Sequence, residues 1–116
     1  MSTRRSPRQF TLEEANALLP AIRQLTDAAV REAESLSERL HASAPRGEEH
    51  AELEALLQGI ITRWAQGLEA LGVEAKGLWL VDFDTGDGYY CWKHPEPSIG
   101  HYHGYADGFA GRMKIV

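Results

Sequence analysis

Two histidines one residue apart, His101 and His103, flank Tyr102 near the end of the 116-residue chain. On a strand, residues two apart project from the same face. This spacing therefore sets two imidazoles side by side, a beginning for an open metal site with nitrogen and carboxylate ligands. His94, Glu96, Asp107 or Cys91 could supply a third ligand, and a divalent metal is the cofactor such a set would take. One cysteine and no Cys-x-x-Cys pair argue against a closed structural zinc site. The alternative is packing and hydrogen bonding of these histidines within a sheet, the commoner fate of strand histidines.

Asp107-Gly108-Phe109-Ala110-Gly111-Arg112 follows. Its glycines expose backbone N–H groups and Arg112 offers a planar fork, together able to seat a small anion such as a phosphate or carboxylate. It matches no established phosphate loop, and a tight turn with Arg112 paired to Asp107 or a helix carboxylate is the simpler account. Asp82, Asp84 and Asp87 suggest a calcium loop, but Gly86 takes the fifth position and no glutamate stands at the twelfth, so a polar hairpin turn is expected. Cys91, between Tyr90 and Trp92, reads as a buried inert thiol rather than a nucleophile.

Two kinds of element must carry these groups. Thr11-Leu12-Glu13-Glu14 is a capping box. The apolar stripe Ala15, Leu18, Ile22, Leu25, Ala29, Leu36 and Leu40 then marks an amphipathic helix. Pro20 cannot donate to the Asn16 carbonyl, so a kink or break is expected near Asn16–Leu19. After the connector Ser43–Gly47, a second helix runs from about Glu48 to Leu71, stopped by Gly72 with Val73 folding back. Gly59 and Gly67 lie near its apolar face and predict close approach of the first helix.

From residue 72 onward the composition changes: eight of ten aromatics and eight of eleven glycines fall there. Gly77–Phe83 and Tyr89–Lys93 read as a hairpin across the turn Asp84–Gly88. Ile99–His103 and Met113–Val116 read as further strands. The expected fold is α+β, a long antiparallel helical hairpin (11–71) followed by a small antiparallel β-rich unit (72–116) in one domain, with residues 1–10 a disordered arm.

Charge narrows the partners. Residues 1–10 carry +3, 11–71 carry −6 and 72–116 carry −2. No folded part offers the basic face that nucleic acid requires, and no apolar stretch is long enough to span a membrane. The arginines near the start precede no apolar signal region and the lone cysteine can form no internal disulfide, so the cytoplasm is expected. A helix of about 30 residues is roughly 45 Å long and overhangs a compact domain of this size, so a homodimer through the hairpin is expected.

Phe10-Thr11-Leu12-Glu13-Glu14-Ala15-Asn16, Leu18-Leu19-Pro20, Leu71-Gly72-Val73 and Val81-Asp82-Phe83 resemble a known pattern. So do Cys91-Trp92, Glu96-Pro97, Ile99, Tyr102-His103 and Gly108-Phe109-Ala110-Gly111-Arg112. Together they resemble the bacterial domain of unknown function 2203 family over nearly the whole chain. Gly104 stands where that family's ending carries an acidic residue, Lys93 stands for an arginine, and His101 lies outside the shared pattern. The resemblance implies no activity. It directs attention to Trp92, Glu96, His103, Asp107 and Arg112 as one candidate ligand-binding group, set in a dimeric binding module. The alternative is a small enzyme, metal-dependent in one form, using His103 as ligand or general base with Glu96 or Asp107 and with Arg112 holding negative charge.

Overall fold

The computed structural model describes residues 8–115. Helix α1 (Leu12–Ala42) and helix α2 (Glu48–Ala70) form an antiparallel hairpin. Strands β1 (Glu74–Gly77), β2 (Leu80–Asp84), β3 (Tyr89–Lys93), β4 (His101–His103) and β5 (Met113–Lys114) follow. They form one antiparallel meander in the order β1-β2-β3-β4-β5, with a 3₁₀ turn at Phe109–Gly111 before the last strand. The fold is therefore the expected α+β arrangement. The expected arm lies outside the described residues up to residue 7. Arg8 and Gln9 are exposed, though Arg8 donates to the Leu71 carbonyl at 3.2 Å, and Phe10 is buried and donates its N–H to the Asp84 carbonyl at 2.7 Å.

Local chemistry sets the boundaries. The Thr11–Glu14 capping box is closed in both directions, at 2.9 and 3.1 Å, satisfying N–H groups that a helix start leaves open. At the other end of the hairpin Gly72 takes φ +84°. Val73 N–H then bonds the Leu68 carbonyl and Gly72 N–H that of Glu69, the paired bonds of a Schellman stop. Helix α1 runs through Pro20 without the break expected near Asn16–Leu19. Pro20 and Asn16 are both exposed, so water can serve the carbonyl that the ring leaves without a donor. A Cβ on Gly67 would sit 3.1 Å from Leu25, confirming close approach there, whereas at Gly59 only the Arg63 side chain is near.

The run Gly77–Phe83 is two strands, not one. The chain turns at Leu78-Trp79, pairing Gly77 with Leu80, and the Trp79 ring stacks edge-on against Trp64 of α2 with centroids 4.9 Å apart. No proline, asparagine or aspartate marks this turn, so the apolar run conceals it.

Alternation along the strands divides the sheet. Val81, Phe83 and Trp92 point inward and are fully buried against Phe10, Leu19, Ile22, Trp64 and Leu68. The opposite face carries Asp82, Tyr89, Cys91, His101 and His103, as the register requires: Asp82 pairs Cys91, Cys91 pairs His101, and Tyr89 pairs His103. Gly88 is needed where the turn meets β4, since a Cβ there would lie 2.7 Å from the His103 carbonyl oxygen.

Candidate functional site

The site begins on α1. Asn16, Arg23 and Asp27 fasten the connector between β3 and β4: Asn16 Oδ1 accepts from Ile99 N–H at 3.3 Å, Arg23 donates to the Glu96 carbonyl, and Asp27 Oδ1 lies 2.6 Å from His94 Nε2. Trp92 Nε1 also donates to the Glu96 carbonyl, at 2.8 Å. With its backbone held, Glu96 presents its carboxylate to Arg112 in a two-point bond of 3.0 and 2.6 Å. Burial pushes the Glu96 carboxyl up, but the Arg112 guanidinium and the Lys93 N–H outweigh it and hold the group below the ordinary glutamate value. The Phe109 ring lies against the guanidinium at 4.4 Å. This chain of contacts folds residues 104–112 back over the outer face of the sheet.

Beneath that segment is a pocket of about 280 Å³ lined by Lys76, Asp82, Tyr89, Cys91, His103, Tyr105, Asp107 and Phe109 among others. Its floor is a buried polar pair. His103 Nε2 lies 2.9 Å from Asp82 Oδ2, and His103 Nδ1 lies 2.9 Å from the Gly104 carbonyl. A carbonyl only accepts, so Nδ1 carries a hydrogen and Nε2 shares one proton with Asp82. Burial pushes the Asp82 carboxyl up, and the hydrogen bond and charge of His103 only partly offset it. Cys91 joins them: Asp82, Cys91 and His103 place their ligand-type atoms within 4.8 Å of one another, and all three are buried. Burial, with the Asp82 charge beside it, pushes the Cys91 thiol up to about 12.

The walls are aromatic. Tyr89 lies edge to face with Tyr105 at 5.1 Å and 5.4 Å from the His103 ring. Lys76 Nζ sits 3.0 Å from Glu74 and 4.8 Å from the Tyr89 ring centre. Tyr105 donates to Asp84 at 2.6 Å, and Asp84 also receives the Gly86 N–H. The acidic turn is thus occupied with local hydrogen bonds.

The five residues singled out from the sequence fall into separate places. Glu96 and Arg112 bind each other. Trp92 meets them only through its N–H, its ring being buried on the inner face. His103 and Asp107 both line the pocket, but His103 pairs with Asp82. His101 and His103 share a face, yet they do not converge. His101 Nδ1 stands 3.8 Å from Glu96 Oε2, too far for a hydrogen bond, and is buried without a partner.

Asp82 was the residue that sequence reasoning did not join to His103, and Cys91 was only one of four candidate third ligands beside the two histidines. The hairpin register around Asp84–Gly88 pairs Asp82 with Cys91 directly, and that much was available from strand alternation. Bringing His103 to them depends on the β3–β4 register. A connector with Pro95 and Pro97 does not encode that register locally.

A helical hairpin backed by a five-stranded antiparallel meander, with a polar pocket on the far side of the sheet, defines an α+β protein. Residues 8–115 match the family described as uncharacterized conserved protein (DUF2203), and the chain belongs to that family. No curated protein and no solved structure matches it. No helix among the described residues is long and apolar enough to cross a membrane.

Proposed function

We propose that this protein is a dimeric, cytoplasmic binding module of a bacterial family, with its ligand site in the pocket beneath residues 104–112. The observation that carries this reading is the buried Asp82–His103 pair on the pocket floor. Replacing a buried ion pair by apolar residues of the same size is often neutral or stabilising, so the presence of this pair on the pocket floor supports a role beyond stability. Binding is favoured over nucleophilic catalysis because both His103 nitrogens are engaged and the Cys91 thiol is held far above the range of a reactive thiolate. Arg112 has both arms of its fork on Glu96, so an anion at that position must compete with a carboxylate already in place. Lys76 is the cationic side chain on the pocket wall itself, while His103 on the floor is already paired with Asp82.

Dimerisation is supported by shape. The radius of gyration is 16.3 Å, against about 13 Å for a compact domain of this length. Away from the sheet, a groove of about 460 Å³ between the helices is lined by Leu36, Leu56 and Ile60 with Arg31, Glu32 and Arg63. Its mixed charges can complement a two-fold copy of themselves.

The test is an amide NMR titration with a panel of small carboxylates, phosphates, amines and aromatic metabolites, beside light scattering across protein concentration. Saturable shifts clustered at residues 80–84, 89–91 and 103–109, from a particle of twice the chain mass, are expected. Shifts confined to the helices, or none at millimolar ligand, would remove the ligand site. A concentration-independent monomer would remove the dimer.

A further inference from the structure

We propose that Asp82, Cys91 and His103 together bind one transition-metal ion of the zinc(II) type, with a fourth coordination position open to the pocket. The inference deepens the pocket reading above and rests on it for that fourth position. The three ligands come from three neighbouring strands, β2, β3 and β4, so the sheet itself sets their spacing. Around a single zinc ion, nitrogen, oxygen and sulfur ligands at 2.0–2.3 Å lie about 3.4–3.6 Å from one another. The three ligand atoms already lie within 4.8 Å of one another, with His103 Nε2 and Asp82 Oδ2 at 2.9 Å. Spreading that pair by roughly half an ångström and drawing in the sulfur completes the set.

The imidazole is prepared for this role. Its Nδ1–H donates to the Gly104 carbonyl at 2.9 Å. A backbone carbonyl on the far nitrogen is the usual partner of a metal-bound histidine, because it fixes the tautomer and turns Nε2 toward the ion. Sulfur, nitrogen and a single carboxylate oxygen suit zinc, cobalt or iron(II), and not magnesium or calcium, which need several oxygens.

Charge balance supports the same conclusion. Without metal the group is neutral: a thiol, and one proton shared between Asp82 and His103. When M²⁺ enters, the thiol proton and the shared proton leave, giving a thiolate, a carboxylate, a neutral imidazole and one dication. The net charge of the buried group is zero before and after. The dication therefore enters a buried group without adding net charge to it. The competing explanation is a self-sufficient hydrogen-bonded pair with a bystander thiol, and it makes different predictions.

The probe is cobalt(II), added to chelator-stripped full-length protein and followed by absorbance and calorimetry. Expected are one ion per chain, a thiolate-to-cobalt charge-transfer band, the intense visible bands of four-coordinate cobalt, displacement by zinc, and release of about two protons per ion. Cys91→Ser should abolish the charge-transfer band. Asp82→Asn and His103→Ala should each weaken binding by more than about 100-fold, beyond the 10- to 100-fold typical of losing an outer partner. Circular dichroism confirms that each variant is folded, and the isosteric Asp82→Asn carries the conclusion if His103→Ala is not. Absence of binding by the folded wild type, binding without the charge-transfer band, or binding unchanged in Cys91→Ser and Asp82→Asn would overturn the proposal. The small-molecule titration on stripped protein separates the two readings. Pocket shifts without cobalt binding leave the pocket and remove the metal. Cobalt binding without any pocket response does the reverse.

Discussion

At their centres the two faces of the sheet are buried to nearly the same degree and are chemically opposite. On the inner face Val81, Phe83 and Trp92 are each 0% exposed, and on the outer face Asp82, Cys91 and His103 are 2, 1 and 4% exposed. The inner face is covered by two helices, the outer one by a nine-residue segment held by Arg112 and Glu96. Apolar burial is favourable without any specific partner. Polar burial is tolerated only where each group finds one. The inner face is therefore explained by folding alone. On the outer face Asp82 and His103 satisfy each other while His101 Nδ1 is buried without a partner; nothing in folding required polar groups there, and that difference is what supports the proposed ligand site.

The largest effect expected lies on the inner face. Trp92→Ala removes a fully buried ring and the N–H that holds the Glu96 carbonyl. It should cost about 3–5 kcal/mol, read as a lower urea midpoint. It should also loosen the cover of the outer face, because Glu96 is the anchor of Arg112. A cost under about 1 kcal/mol would mean that the inner face is not the packed core described.

The outer face should respond differently to single and double changes. Asp82→Ala leaves His103 Nε2 buried without its partner and should cost about 1–3 kcal/mol. Replacing both residues with leucine should cost less than that single change, because a matched apolar pair leaves nothing unsatisfied. A double variant less stable than Asp82→Ala would show that the pair contributes net stability, and would weaken the case that function keeps it.

A matched polar exchange on each face sharpens the contrast. Val81→Thr puts a hydroxyl into the helix-facing core and should cost about 1–3 kcal/mol. Cys91→Ser introduces a hydroxyl on the outer face beside the Asp82 carboxylate, which can accept its hydrogen, and should cost under about 1 kcal/mol. Equal costs in chemical denaturation would erase the distinction.

What the sequence disclosed follows the same division. The capping box, the Gly72 stop and the hairpin turn Asp84–Gly88 were legible because each is encoded within a few residues. The turn at Leu78-Trp79 was hidden, because the contact that fixes it is Trp64, on a helix. The outer cluster was half legible: His103 stood out by its spacing and Cys91 was one of four candidate third ligands, though it read more simply as a core residue, and Asp82 resembled a turn residue. Only the register of three strands makes them one group, and register between β3 and β4 depends on α1 holding residues 94–99 through Asn16, Arg23 and Asp27. Those three polar side chains carry no signature apart from that contact.

The smallest effect expected is a difference in acid response between the Asp82 and Glu96 carboxyl groups, measured in metal-free buffer. Asp82 is raised by burial, so its folded form binds a proton more tightly than the unfolded chain does. Its contribution is fully present below the ordinary aspartate value of about 3.9 and is lost as pH rises through the raised value. Glu96 is lowered by Arg112 and the Lys93 N–H despite its burial. Its contribution is present above the ordinary glutamate value of about 4.3 and is lost as pH falls through the lowered value. The destabilisation caused by Asp82→Asn should therefore shrink as pH rises from the acid side, while that caused by Glu96→Gln should shrink as pH falls. Urea titrations at a series of pH values between the acid limb and neutrality give both trends. Parallel trends would mean that the two carboxyl groups share one environment, and that the buried floor of the pocket is no different from the salt bridge that closes over it.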